Sequence, residues 1–289
     1  MDKRKVVELF LKEGVLLSPE EMEKINEENY LQMLREKKNE DGVECEVKKP
    51  RWGKVTTEEY VKMYNENFEF LKNLLLKKTR AVSIDKGRKI FSEVTIIGRV
   101  KEIKGSGFVL EDVTGETEVS CDNRDVNVGD VIGLKGRFRE NVFFPEQVIW
   151  PDIPLGNEPK LTGRRVVLTP SPKGSEGEIV ISPIAKEGVI GGFGKRGEII
   201  IKNKEGEMRI LAYSPPEKLG EDEAVKLLKK RRLPDEKNPD NAIRKIPHIF
   251  WLFNNSANWS RNYKGVTIIS TNKGSFAEYE NGRVRFGKL

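Results

Sequence analysis

Histidine is almost absent: His248 is the only one in 289 residues. Hydrolases built on His-Asp-Asn metal clusters use neutral imidazole as a recurring ligand and need several. One histidine cannot build such a site. It also leaves a Ser-His-Asp triad a single base, and His248 stands between Pro247 and the apolar Ile249-Phe250-Trp251, where packing is the simpler role. Cysteine is nearly as scarce. Cys45 and Cys121 are the only two and neither sits in a CxxC spacing, which argues against a disulfide framework or a cysteine zinc site and fits a reducing interior. Long apolar runs are missing too, with none near the roughly 20 residues that span a bilayer. The start, Met1-Asp2-Lys3-Arg4-Lys5, leads into an amphipathic stretch broken by Glu8, Lys12 and Glu13 rather than into a signal peptide. A soluble, cytoplasmic protein with no membrane partner is expected, and no cofactor motif survives inspection.

What is present is charge of both signs and enough apolar residue to build cores. Charged residues make up 34% and apolar residues 37%, with a formal net charge of +6. That excess permits a nucleic-acid or acidic partner without demanding one, and the joint abundance of Lys and Glu is compatible with a heat-tolerant source. The length suggests two or three domains.

Residues 1–80 read as a helical region with a linker. Val6, Val7, Phe10 and Leu11 recur at helical spacing, and Ser18-Pro19-Glu20-Glu21 has the form of an N-cap, a first-turn proline and a capping-box glutamate. Thr56-Thr57-Glu58-Glu59 repeats this before a long helix lined by Tyr60, Met63, Tyr64, Phe68, Leu71, Leu74 and Leu75. This stripe reads as core packing, with a partner-binding face as the alternative. Residues 37–55, polar and carrying Gly42, Pro50 and Gly53, read as a loop.

From Phe91 the period changes to two. Strands are expected at 94–100, 108–112, 116–121, 131–138 and 142–144, with glycines inside the first and fourth. Five short strands that bend at glycines suggest a small closed barrel over 81–154, of which the OB-fold is the best match. The rest, 155–289, is strand-rich with one helix around 222–230 and a C-terminal hairpin turning at Glu280-Asn281-Gly282. The fold class is therefore α+β.

Three features invite function. Gly192-Phe193-Gly194-Lys195-Arg196-Gly197 matches the dinucleotide fingerprint, but that mechanism needs a helix after the last glycine. Glu198-Ile199-Ile200-Ile201 is a strand instead, so a hairpin loop is the reading. Lys226, Lys229, Lys230, Arg231 and Arg232 cluster at a helix end, where cations complement the dipole; a phosphate or partner contact is the second reading. OB barrels bind single strands by stacking bases on aromatics while basic groups follow the backbone. The candidates here are Arg99, Lys101, Lys104, Phe108, Arg137, Arg139 and Phe143, with Phe138 and Phe144 nearby. The same phenylalanines would equally fill a small barrel, and Glu111, Asp112, Glu116, Glu118 and Asp122 offset the positive charge.

Two segments together resemble the small subunit of the archaeal family D DNA polymerase, a relative of the B subunits of eukaryotic replicative polymerases. One runs from Arg88-Lys89-Ile90-Phe91-Ser92-Glu93-Val94 to Pro151-Asp152-Ile153-Pro154 and contains the turn Glu111-Asp112-Val113-Thr114-Gly115-Glu116. The other comprises Ala224-Val225-Lys226-Leu227-Leu228-Lys229-Lys230-Arg231-Arg232-Leu233, Ile246-Pro247-His248-Ile249-Phe250 and Asn262-Tyr263-Lys264-Gly265-Val266-Thr267-Ile268-Ile269-Ser270. The resemblance implies an OB domain followed by a calcineurin-like phosphoesterase domain. That family holds two metals through D-x-H, G-D, G-N-H-[DE] and G-H-x-H motifs. Here Pro170, Ser171 and Pro172 stand where G-N-H-D is expected, and Asn254, Asn255, Ser256 and Asn258 where G-H-x-H is expected. Two-metal hydrolysis needs both ions. The resemblance therefore implies an inactive, truncated remnant: a non-catalytic accessory subunit that docks on the polymerase large subunit and contacts DNA. Docking would leave an exposed apolar patch on the C-terminal part. The alternative is a stand-alone OB-fold single-strand binder.

Overall fold

A computed structural model of the chain describes residues 44–49, 56–121, 125–157, 164–172, 179–203, 206–234 and 241–289. The helices expected around Val6–Leu11 and after Ser18 lie outside the described residues, as does Asp122. The first described element corrects the sequence reading. Glu44–Lys48, expected to be loop, is a strand (β1). It pairs antiparallel with the far strand 196–202, Glu44 opposite Lys202 and Lys48 opposite Glu198. Only Val47 packs inward, against the C-terminal core, so the segment carries little apolar signal of its own.

Helix α1 (Thr57–Leu76) starts at the expected capping box. The Glu59 backbone N–H donates to Thr56 Oγ1 at 3.2 Å, and the Thr56 N–H donates to Glu59 Oε2 at 3.0 Å. Its aromatic stripe divides in two. Phe68, Leu71 and Leu75 are buried against Ile97 and Val131 on the outside of the barrel. Tyr60 and Tyr64 stay open to solvent, their rings stacked 6.3 Å apart. The short α2 (Ile84–Gly87) drops Ile84 into the barrel core.

The barrel comprises β2 (Val94–Lys104), β3 (Gly107–Asp112), β4 (Gly115–Val119), β5 (Val131–Arg139) and β6 (Val142–Ile149), closed in the order β2-β3-β4-β6-β5. A parallel pair, β4 with β6, completes an otherwise antiparallel ring. That is the OB-fold topology. The glycines work as expected at two places. A Cβ on Gly98 would meet Leu110 Cγ at 2.6 Å, and one on Gly136 would meet the Phe144 carbonyl oxygen at 2.1 Å. Gly136 sits where the β5–β6 register shifts, which is where the strand bends. The Glu111–Glu116 turn is held by Asp112. Its Oδ1 accepts from the N–H groups of Thr114 (2.7 Å) and Gly115 (3.1 Å), and its Oδ2 from that of Ile84 (2.9 Å). This motif is spent on closing the barrel end.

The third part contains β7 (Val166–Leu168), β8 (Ile179–Ser182), β9 (Ile190–Gly191), β10 (Arg196–Lys202), β11 (Glu207–Tyr213), α3 (Glu221–Lys230), β12 (Ile249–Leu252), β13 (Trp259–Tyr263), β14 (Val266–Ser270), β15 (Ser275–Glu280) and β16 (Arg283–Lys288). They form two mixed sheets, β1-β10-β11-β12-β14-β13 and β16-β15-β7-β8-β9. One core fills the space between the sheets; a second lies between the six-stranded sheet and α3. Central strand β12 explains why its sequence is a continuous apolar run. Ile249 and Trp251 face the opposite sheet, whereas Phe250 and Leu252 face α3. Each such side chain contributes about 1.5–3 kcal/mol when fully buried. The Gly192–Gly197 stretch is the turn into β10 with no helix after it, and Asn281 and Gly282 both adopt positive φ, as a tight hairpin turn requires.

Candidate nucleic-acid interface

The structure divides the sequence-derived contact residues into three groups. Phe108 and Phe143 are 3% and 0% exposed inside the barrel. Phe143 packs edge-on against Phe138, centroids 4.9 Å apart. Neither offers a ring for stacking, because closure of the barrel turns both inward. Arg99 is also buried. Its guanidinium lies 3.4 Å from the Tyr64 ring centroid and donates to the Tyr64 carbonyl at 2.6 Å, so it is covered by α1. Lys101 and Lys104 remain exposed but sit among carboxylates: Lys101 bonds to Glu116, and Lys104 lies 3.8 Å from Glu102 and 3.6 Å from Glu118. The Lys101 bond pulls the Glu116 carboxyl down and pushes the Lys101 amine up. The charges on β2 and β4 therefore largely cancel.

Arg137 and Arg139 make up the third group, and the residue that completes their site is Phe144. Along β5 the alternation places Lys135, Arg137 and Arg139 on the outer face. Arg137 is directly opposite Phe144 on β6. Phe144 is 36% exposed, with the Arg139 guanidinium 5.2 Å from its ring centroid. Two carboxylates border this face. Glu93 holds Lys135 at 2.9 Å, which lowers the Glu93 carboxyl, and Glu146 lies 3.9 Å from Arg137. Phe91, two residues before Glu93, is 97% exposed. The β5–β6 hairpin thus joins a partly exposed aromatic ring, with Arg139 over it, to cations spaced along a strand. Strand alternation could have separated Phe144 from Phe143, but it does not say which of the two faces out.

The basic cluster at the end of α3 turns out to join the modules. Asp130, at the start of β5 and 3% exposed, accepts from Lys230 Nζ at 2.7 Å and lies 3.4 Å from Arg232 NH1. Arg232 also donates to the Val128 carbonyl at 2.8 Å, and Lys226 pairs with Asp125 at 2.7 Å. Arg231 turns back in a left-handed cap (φ 55°) and donates to the carbonyls of Ile243 (2.8 Å) and Arg244 (2.9 Å). Burial brings its guanidinium down to about 10, opposed by Asp152, so it stays charged at neutral pH. Asp152 itself, in the Pro151–Pro154 exit of the barrel, accepts from Tyr263 Oη at 3.0 Å and from Lys264 Nζ. Burial and this bond raise the Tyr263 phenol. Three separated motifs thus converge on one junction.

Two of the positions expected to be eroded metal ligands, Asn255 and Asn258, hold loops in place. Asn255 is buried; its Nδ2 donates to the Leu219 carbonyl at 2.7 Å and Ser270 Oγ at 3.0 Å, while its Oδ1 accepts from the Leu219 N–H at 3.0 Å. Asn258 Nδ2 donates to Ser275 Oγ at 2.9 Å, and its Oδ1 accepts from the Asn272 N–H at 3.0 Å. Asn254 (φ 58°) and Ser256 are exposed. Pro170, Ser171 and Pro172 follow β7, where the Ser171 carbonyl accepts from Thr169 Oγ1. His248 Nδ1 accepts from the Arg209 N–H at 2.9 Å, and burial lowers its pKa. It ties β12 to β11. Among the described residues, no three His, Cys, Asp or Glu side chains are grouped to hold a metal ion. Among the described residues after 154, the large apolar side chains left exposed are Leu155, Ile184, and Phe286 and Leu289 at the C-terminal strand β16. No helix among the described residues is long and apolar enough to cross a membrane.

No family model matches the chain, and no curated protein matches it. Solved structures overlap about a quarter of it, among them the following three. The telomere capping protein Ten1 from Saccharomyces pombe is 12% identical over 24% of this chain and 78% of its own, with a TM-score of 0.22. A chain of the S. pombe Stn1-Ten1 complex is 13% identical over 24% of this chain and 75% of its own, again with a TM-score of 0.22. The hypothetical protein ygiW from E. coli is 18% identical over 25% of this chain and 89% of its own, at the same TM-score of 0.22.

Proposed function

We propose that this chain is a non-catalytic OB-fold protein that binds single-stranded nucleic acid through the β5–β6 hairpin of its barrel. The observation that carries this reading is the exposed Phe144 ring with Arg139 beside it and Arg137 across the strand pair. A base stacked on Phe144 would place its neighbouring phosphates along the line of β5 cations, with contacts worth about 1–3 kcal/mol per stacked base. Glu93 and Glu146 neutralise part of that line, so only about two or three phosphates are engaged and binding is modest. With a slope near −0.7 per phosphate for single strands, affinity should fall roughly tenfold between about 50 and 200 mM salt. Fluorescence anisotropy with a labelled oligothymidine tests this. Phe144→Ala and Arg139→Glu should each weaken binding by about tenfold or more. Undiminished affinity in both variants would remove the hairpin from the interface. The non-catalytic part of the reading is supported by Asn255 and Asn258, whose amides are committed to loop-holding bonds.

A second reading, an accessory subunit of a family D-type DNA polymerase, is favoured by the junction. The segments that resemble that family, Pro151–Pro154, Leu227–Leu233 and Tyr263–Gly265, pack on one another through Asp152, Lys229 and Lys264. Two mixed sheets with a helix on one outer face also accord with a reduced phosphoesterase-like sandwich. Co-purification with the polymerase large subunit at moderate salt distinguishes this reading. A stable complex supports it; a lone chain that still binds oligonucleotide leaves the stand-alone role.

A further inference from the structure

Where α1, the barrel and the C-terminal part meet, buried positive charge exceeds the carboxylates around it. Arg99 is 6% exposed, and its partners are the Tyr64 carbonyl and the rings of Tyr64 and Phe68; no carboxylate among the described residues pairs with it. Arg232 faces the same cleft, and Asp130, the carboxylate that pairs with it among the described residues, is shared with Lys230. A buried guanidinium is costly when no carboxylate pairs with it directly, and Glu111, opposite Arg99 on β3, acts on it only from beyond ion-pair distance. Burial is the largest influence and lowers the Arg99 pKa; Tyr64 and the cross-strand neighbour Glu111 oppose it and Arg232 adds to it, and an anion in the cleft would offset the burial and the Arg232 charge. The cleft has a volume of about 50 Å³ and is lined by Tyr60, Tyr64, Asn67, Arg99, Gly129 and Arg232. A water needs about 10–15 Å³ on that measure, so there is room for one tetrahedral oxyanion. Gly129 keeps the space open: at φ +83° it is in a glycine conformation, and a Cβ there would lie 2.6 Å from a terminal nitrogen of Arg232.

We infer that this cleft binds one phosphate group, with Arg99 and Arg232 as charged donors and Tyr60 and Tyr64 as an aromatic rim. The site is separate from the β5–β6 hairpin and does not depend on it. The guanidinium forks suit phosphate oxygens, and the exposed ring of Tyr60 would accept whatever carries the phosphate.

The test uses the full chain. Thermal unfolding is followed in sodium phosphate and in sodium chloride at equal ionic strength, and inorganic phosphate is titrated calorimetrically. Phosphate should raise the midpoint. Arg99→Met should be at least as stable as the parent in chloride, lose the phosphate increment, and bind phosphate about tenfold or more weakly. If that variant does not fold, Arg99→Lys, which keeps the charge and loses the fork, should still weaken binding. Equal behaviour of the parent in phosphate and chloride, or undiminished phosphate affinity in the folded variants, overturns the site. To locate the source, oligothymidine with and without a 5′-phosphate is compared in a Phe144→Ala background, which silences the hairpin. Preference for the phosphorylated strand assigns a strand end; equal binding with inorganic phosphate still bound assigns free phosphate.

Discussion

Replacing Asp130 with Asn should open the junction between barrel and C-terminal part. Asp130 is 3% exposed, the Lys230 side chain 8% and the Arg232 side chain 17%. The substitution keeps the shape and removes the carboxylate that these two cations share. Breaking a buried pair in this way costs about 3–5 kcal/mol, since the remaining charge is left desolvated. Against a total stability of about 5–15 kcal/mol that is a large fraction. At roughly 2–4 °C per kcal/mol for a chain of this size class, the midpoint should drop by about 6–20 °C. Urea unfolding by circular dichroism gives the global loss. Backbone hydrogen exchange at 128–131 and 230–232 shows whether the junction opens first. The loss should persist at about 1 M salt, where the screening length is near 3 Å, because a dry pair is little screened. A change below about 1 kcal/mol, the range of exposed pairs, would refute the claim that this contact holds the modules together.

His248 titrates below its usual value because it is partly buried and lies near the Arg209 charge, against which Glu207 acts weakly. The unfolded chain therefore binds its proton first as pH falls. Stability should be flat above about pH 6.5 and decline below it toward the folded pKa, and His248→Gln should flatten that decline in midpoints recorded between about pH 7.5 and 5. Asn255→Ala removes the bonds to Leu219 and Ser270 and leaves the Leu219 amide and carbonyl unpaired. A loss of about 2–3 kcal/mol is expected, and protease cutting near 215–220 should accelerate; unchanged cutting would show that the loop is held by other groups.

Sequence periodicity alone determined the local elements. Alternation set out the five barrel strands, Thr56 with Glu59 marked the start of α1, and Asn281-Gly282 marked the last turn, because each is a short-range steric or hydrogen-bonding preference. The bends at Gly98 and Gly136 follow from the same local logic, as a side chain at either would collide with the neighbouring strand. Tertiary structure decided the rest. Phe143 and Phe144 are neighbours with the same chemistry, and only barrel closure assigns one to the core and the other to solvent. Glu44–Lys48 has almost no apolar pattern, and it becomes a strand because the edge of β10, some 150 residues away, offers its backbone groups partners. The run Lys230-Arg231-Arg232 reads as a single basic patch. Asp130, about a hundred residues earlier, and the carbonyls of Ile243 and Arg244 divide it into an ion pair, a helix cap and a cleft wall. Charge in a sequence counts partners of either sign, but which carboxylate reaches which cation, and which guanidinium is left without one, is set by packing between segments far apart in the chain.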